Sequence, residues 1–133
     1  MLEGHLGLVE HHTNVLSGKT IGAAIEVHRY LGPGLLESSY HSCLCHELGL
    51  RGIRYQSQIE LPIDYKGRLI DKAYVIDLLI EDSLVVELKA VDKLLPVHTA
   101  QLMTYMHLQR VSSGLLINFN VTTLFHGIKR VLQ

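Results

Sequence analysis

Asp77 and, ten residues later, Glu87-Leu88-Lys89 place two carboxylates and an ammonium in segments that otherwise read as buried β-structure. Their neighbours are Ala73-Tyr74-Val75-Ile76 and Leu78-Leu79-Ile80 on one side, and Leu84-Val85-Val86 and Ala90 on the other. Burying a charge is costly unless it is paired or coordinated. Two acids and a lysine in such company point to a divalent-metal site. The competing reading is a satisfied cross-strand ion cluster on an exposed face, and geometry alone leaves both open.

Whether the acids meet depends on the turn between them. Glu87 and Lys89 are two apart on a strand and share a face. A three-residue loop of Glu81-Asp82-Ser83 sets Ile80 against Leu84 and, counting back, Asp77 against Glu87. Opposed residues have Cβ atoms ~4.5–5.5 Å apart, close enough for like charges to need a counter-ion. A two-residue loop of Asp82-Ser83 would turn Asp77 to the wrong face. The metal reading therefore predicts the three-residue loop or an equivalent bulge.

The elements around these residues follow from periodicity. Residues 1–16, with His5, His11 and His12, show little pattern and read as an irregular N-terminal arm. Ile21, Ala24, Ile25, His28 and Leu31 recur at helical spacing, giving a helix over 17–31 that Gly32-Pro33-Gly34 ends. Leu36, Tyr40, Leu44 and Leu48 define a second helix, left at Gly49 and Gly52. Ile59, Leu61, Ile63 and Tyr65 alternate as a strand, and Pro62, which lacks an N–H, places it at an edge or leaves one ladder bond open. Lys66-Gly67 turns the chain into a strand over 68–80, followed by one over 84–91. Pro96 opens another helix, 114–119 reads as a buried strand, and 128–132 is a candidate last edge strand. The order is ααβββαβ with a candidate final β, so that an αβββαβ core follows the first helix: a mixed α/β (α+β) fold with helices flanking a central sheet.

At 133 residues and 47% apolar composition the chain reads as one globular domain, 1–133, with its own core. Twelve basic and 13 acidic residues with nine histidines leave no global charge for gripping nucleic acid, so such a partner needs a local patch. No apolar run is long enough to span a membrane. The start of the chain has no basic segment leading into an apolar one, and two cysteines on one helix make a structural disulfide improbable. Both point to a cytoplasmic protein.

At this level the sequence resembles the PD-(D/E)XK nuclease superfamily: an Asp on one strand, Glu-x-Lys on the next, and helices before and after. More narrowly, Gly34-Leu35-Leu36-Glu37-Ser38-Ser39-Tyr40 matches the motif that names the GxxExxY protein family. The stretches 21–29, 86–91 and 114–120 are similar to that family too, so the resemblance covers roughly 20–132. It implies a nuclease-like core and a Mg²⁺- or Mn²⁺-dependent nuclease acting on DNA. Asp77 and Glu87 would ligate the metal, with the Leu88 carbonyl as a further ligand. Lys89 would position the attacking water or stabilise charge on the phosphate. Glu37 matches the acid that RecB-like members place on the preceding helix, in contact with the metal directly or through water. Gln101 and Tyr105 match their Gln-x-x-x-Tyr motif, one helical turn apart and on one face. The dipeptide Val75-Ile76 departs from the more polar, often Arg-containing sequence expected before the Asp, and residues 1–19 do not resemble the family's start.

Other signals are weaker. Gly18-Lys19-Thr20 is no P-loop, because Thr13 stands where a Gly is required. Cys43, Cys45 and His46 point to different sides of a helix and read as a half-buried face rather than a zinc site. His98 could serve the cleft or simply begin its helix. For His41, one turn after Glu37, capping or ion pairing is the safer reading. Tyr40 is expected to pack beneath Glu37 with its hydroxyl bonded. A silent nuclease-fold module that binds nucleic acid or a protein is the alternative function. A homodimer, with the 115–119 strand and the last strand pairing across subunits, or a larger nuclease complex is a candidate assembly.

Overall fold

A computed structural model describes residues 2–133, with side chains described from Asn14 onward. Eight main elements follow one another: α1 (Leu2–Leu31), α2 (Glu37–Leu50), β1 (Tyr55–Tyr65), β2 (Arg68–Ile80), β3 (Leu84–Lys89), α3 (Pro96–Gln109), β4 (Ser113–Asn118) and β5 (Ile128–Leu132), with a short 3-10 turn at Leu124–Gly127. The strands form one sheet in the order β1-β2-β3-β4-β5. All neighbours are antiparallel except β3 and β4, which α3 connects as a parallel crossover. The expected mixed α/β core with flanking helices is thus present.

The first helix is longer than the periodicity indicated. It begins at Leu2, where an irregular arm was expected. Once a helix is nucleated, each further residue adds a hydrogen bond without needing an amphipathic pattern, so it can run past its packed half. His5, His11 and His12 lie outside the described side chains. At its other end Gly32, at φ 71°, donates its N–H to the His28 carbonyl (2.7 Å) and Pro33 prevents continuation.

Two apolar layers enclose the sheet. Ala24, Val27, Tyr40, Leu44 and Leu48 from α1 and α2 meet Leu78, Ile80, Val86, Leu88, Leu115 and Ile117 on one face. Leu102, Tyr105 and Met106 from α3 meet Ile76, Leu79, Val85 and Leu116 on the other. Along β3 and β4 the alternation is regular, as the period-2 geometry of a strand requires. Along β2 it is not: Ile76 and Leu79, three apart, share a face, so the strand breaks step at Asp77.

The turn predictions hold. Ile80 pairs with Leu84 and Leu78 with Val86, the register of the three-residue loop. β1 is an edge strand, and its register shifts at Pro62, where residues 71–73 of β2 stand against that single proline. The segment 113–118 is interior, paired on both sides within the chain. It cannot pair across subunits as proposed, which leaves that possibility to the outer edge of β5.

Candidate active site

The β2–β3 ladder stops one residue before the acids. Leu78↔Val86 is its last pair, and the β1–β2 pairing passes from Ser57↔Leu78 to Ile59↔Ile76, so Asp77 belongs to neither ladder. Opposite it Gln58 adopts a positive φ of 54°, a conformation rare for a residue with a side chain. The main-chain groups freed here are taken by side chains. Asp77 donates its N–H to Glu87 Oε2 (2.7 Å), and Leu88 donates its N–H to Asp77 Oδ2 (2.8 Å). Each acid therefore reaches past the other to the facing strand. The acids meet, as the loop length requires, but as a reciprocal clasp rather than as a ladder pair.

Each carboxylate has one oxygen engaged in this way and one remaining. Leu88 turns its N–H toward β2, and in a strand the carbonyl of the same residue leaves on that side. The next residue faces the other way: the Lys89 carbonyl accepts from Phe119 N–H (2.9 Å) on the β4 side. The Leu88 carbonyl thus opens toward the gap that holds Asp77.

Glu87 is only 2% exposed. Burial, and then the charge of Asp77, push its carboxyl up to about 8. Burial likewise raises Asp77 above the ordinary carboxylate range, against hydrogen bonding from Leu88. Glu37 is the first residue of α2 and lies at the rim, exposed as a whole. Its carboxyl is nonetheless raised, by burial first and by the charge of Asp77 second. The three acids therefore feel one another.

Lys89 does not neutralise them by direct contact. Its Nζ donates to Gln101 Oε1 (3.0 Å), and Gln101 Nε2 donates to the Tyr105 hydroxyl (3.4 Å). Gln101 and Tyr105 share one face of α3, one turn apart, and deliver this chain from above the sheet. Tyr105 is buried, and its hydroxyl is raised by that burial and by the charge of Glu87. All six predicted side chains thus come to one region: Glu37 from α2, Asp77 from β2, Glu87 and Lys89 from β3, Gln101 and Tyr105 from α3.

Among the described residues no ion pair involves Glu37, Asp77 or Glu87; the ion pairs lie elsewhere, as at Glu26–Arg29 and Glu47–Arg51. This rules against the satisfied surface ion cluster. A buried acid and a half-buried one, neither in an ion pair, fit a divalent ion. Among the described residues no group of three or more His, Cys, Asp and Glu is placed to hold a metal ion by itself. An oxygen set of two carboxylates and a carbonyl suits a hard cation that retains waters, as Mg²⁺ does, better than zinc.

Of two histidines left open by the sequence, one takes its helix-start reading and the other departs from its reading. His98 Nδ1 accepts the Leu95 N–H (2.9 Å), so it caps α3 at its own start. His41 neither caps nor pairs with an acid. Its Nε2 lies 3.3 Å from the Asp77 carbonyl and 3.1 Å from Ser57 Oγ. Its one-turn offset from Glu37 was the available signal, but nothing in the sequence marked Asp77 as leaving its ladder. Tyr40 is buried as expected: it donates to the Gly32 carbonyl (2.6 Å), accepts from Leu35 N–H (3.1 Å) and stacks on Phe119. It fixes the loop from which Glu37 emerges. Asn118 ties the chain beyond β3, bonding both the N–H and the carbonyl of Val91 (3.0 and 2.9 Å).

Comparison with known proteins agrees with this geometry. A family model of the PD-(D/E)XK nuclease superfamily matches residues 14–131. No curated protein sequence and no solved structure matches the chain significantly. Among the described residues no helix is long and apolar enough to cross a membrane. The match takes in every element from the packed half of α1 to β5, with the acids and lysine where β2 and β3 part, and on that ground the chain belongs to the PD-(D/E)XK nuclease superfamily.

Proposed function

We propose that this protein is a Mg²⁺- or Mn²⁺-dependent nuclease that hydrolyses DNA phosphodiester bonds, of the GxxExxY type within the RecB-like branch. The observation that carries the reading is the pair of half-buried Asp77 and buried Glu87, outside any ion pair and each with one oxygen held by the facing strand. The Asp77 and Glu87 carboxylates and the Leu88 carbonyl would hold the ion, and Glu37, whose carboxyl feels the charge of Asp77, would contribute directly or through water. When bound, the ion supplies Lewis-acid polarisation of a phosphate oxygen and lowers the pKa of water.

The remaining chemistry belongs to the chain. The reciprocal bonds between the acids and the facing main chain orient both carboxylates before any ligand arrives. This is the preorganisation that makes charge stabilisation effective. Gln101 takes one of the three Nζ protons of Lys89, which leaves two to bond a water or a non-bridging phosphate oxygen. Tyr105 braces Gln101 and closes the α3 side of the site to solvent.

Incubating the purified protein with plasmid or single-stranded DNA and Mg²⁺ or Mn²⁺ tests the reading. Cleavage is expected to need the metal and to fall to background in Asp77→Ala; activity that survives this substitution sinks the assignment. The formal net charge of −1 favours a second reading, a module that holds nucleic acid or a protein without cutting. Salt-dependent DNA binding without cleavage by the unaltered protein would select it.

A further inference from the structure

We infer that His41 is a positioning residue for the metal-binding acid, holding the Asp77 main chain in its out-of-ladder conformation. The inference rests on the metal-site reading above. Asp77 has lost its strand partners on both sides, so its N–H and carbonyl need other bonds. Glu87 takes the N–H. The carbonyl lies 3.3 Å from His41 Nε2, at the long end of hydrogen-bond distance.

A carbonyl oxygen can only accept, so Nε2 carries the proton. With Nε2 as the donor, Ser57 Oγ at 3.1 Å takes a share of the same proton in a three-centre arrangement, and Cys45 Sγ lies 4.0 Å from the nitrogen. Through this one N–H, α2 is tied to β2 at Asp77 and to β1 at Ser57, the residue beside the irregular Gln58. His41 follows Glu37 by one turn, so the helix that presents the rim acid also fixes the strand that presents Asp77. Partners that orient metal ligands from behind commonly change metal affinity 10- to 100-fold when removed.

The test compares His41→Phe, which keeps the bulk without the donor, with His41→Gln, which keeps an N–H donor. Mn²⁺ binding is read by electron paramagnetic resonance, and exchange at the Asp77 and Leu88 amides by NMR. His41→Phe is expected to weaken Mn²⁺ binding about 10-fold. It should also speed exchange at these two amides about 10-fold or more, with those of Val86 and Leu116 unchanged. His41→Gln should recover most of both. Mn²⁺ affinity of His41→Phe within twofold of the unaltered protein overturns the inference, as does unchanged exchange at Asp77 and Leu88. If the unaltered protein takes up no Mn²⁺, the metal reading fails, and the two amides still decide the role of His41.

Discussion

Glu87→Gln should stabilise the metal-free protein at alkaline pH, which is an unusual outcome for a substitution in a candidate active site. The buried Glu87 carboxyl is pushed from 4.5 to about 8, so the folded protein retains a proton that the unfolded chain gives up. The contribution of Glu87 to stability is therefore greatest below about 4.5, falls as pH rises toward about 8, and levels off above it. At 1.36 kcal/mol per pH unit the full window is worth at most about 5 kcal/mol. Solvent reaches the half-buried Asp77 and screens part of the repulsion, which brings the expected fall to about 2–3 kcal/mol.

Glutamine keeps an oxygen for the Asp77 N–H, 2.7 Å away in the native protein, but has no charge to bury. Urea titrations in EDTA at pH 5 and pH 8.5 then give a direct comparison. The two proteins should differ little at pH 5, whereas Glu87→Gln should be more stable by about 2 kcal/mol at pH 8.5. Mn²⁺ at a hundredfold excess over its dissociation constant should restore about 2.7 kcal/mol to the native protein alone. Stability curves that run parallel from pH 5 to 8.5 without metal would refute the buried-acid argument.

Two further substitutions separate scaffold from site. Tyr40→Phe leaves the stack on Phe119 but orphans the Gly32 carbonyl and the Leu35 N–H, and should cost about 1–2 kcal/mol in urea titration. Gly114→Ala would bring a methyl within 2.6 Å of Met106 Sδ and 2.9 Å of Leu102 Cδ1, between β4 and α3. It should destabilise by about 1–3 kcal/mol in thermal melts while leaving Mn²⁺ affinity of the folded protein unchanged.

Much of this architecture was legible because local chemistry and tertiary packing agree. The Glu81-Asp82-Ser83 loop fixed the register of β2 and β3, and with it the meeting of Asp77 and Glu87. Pro62 lacks an N–H and lies on the edge strand that its chemistry demands. Gln101 and Tyr105 are brought to Lys89 by helical spacing alone. The first half of α1 was not legible, since propagation from a packed helix leaves no apolar stripe to detect. His98 was ambiguous for a similar reason: its imidazole can accept a local main-chain bond or reach outward, and only the folded chain decides between them.

What the sequence could not reveal is also what makes the site. Strand alternation places Ile76 and Leu79 on opposite faces, whereas the fold buries both against α3. Accommodating them requires a break in step, and the break falls at Asp77, the residue that would otherwise have its main chain locked into two ladders. Freed from both, its N–H turns to Glu87, its carbonyl to His41, and its carboxylate to Leu88. A regular strand would hold the two acids side by side with their backbones already satisfied by each other. The irregular one lets each carboxylate clasp the opposite main chain, so the acids are aimed by hydrogen bonds before a cation is present. The apolar residues flanking Asp77, which first made its charge look misplaced, thereby help set the geometry in which that charge can be used.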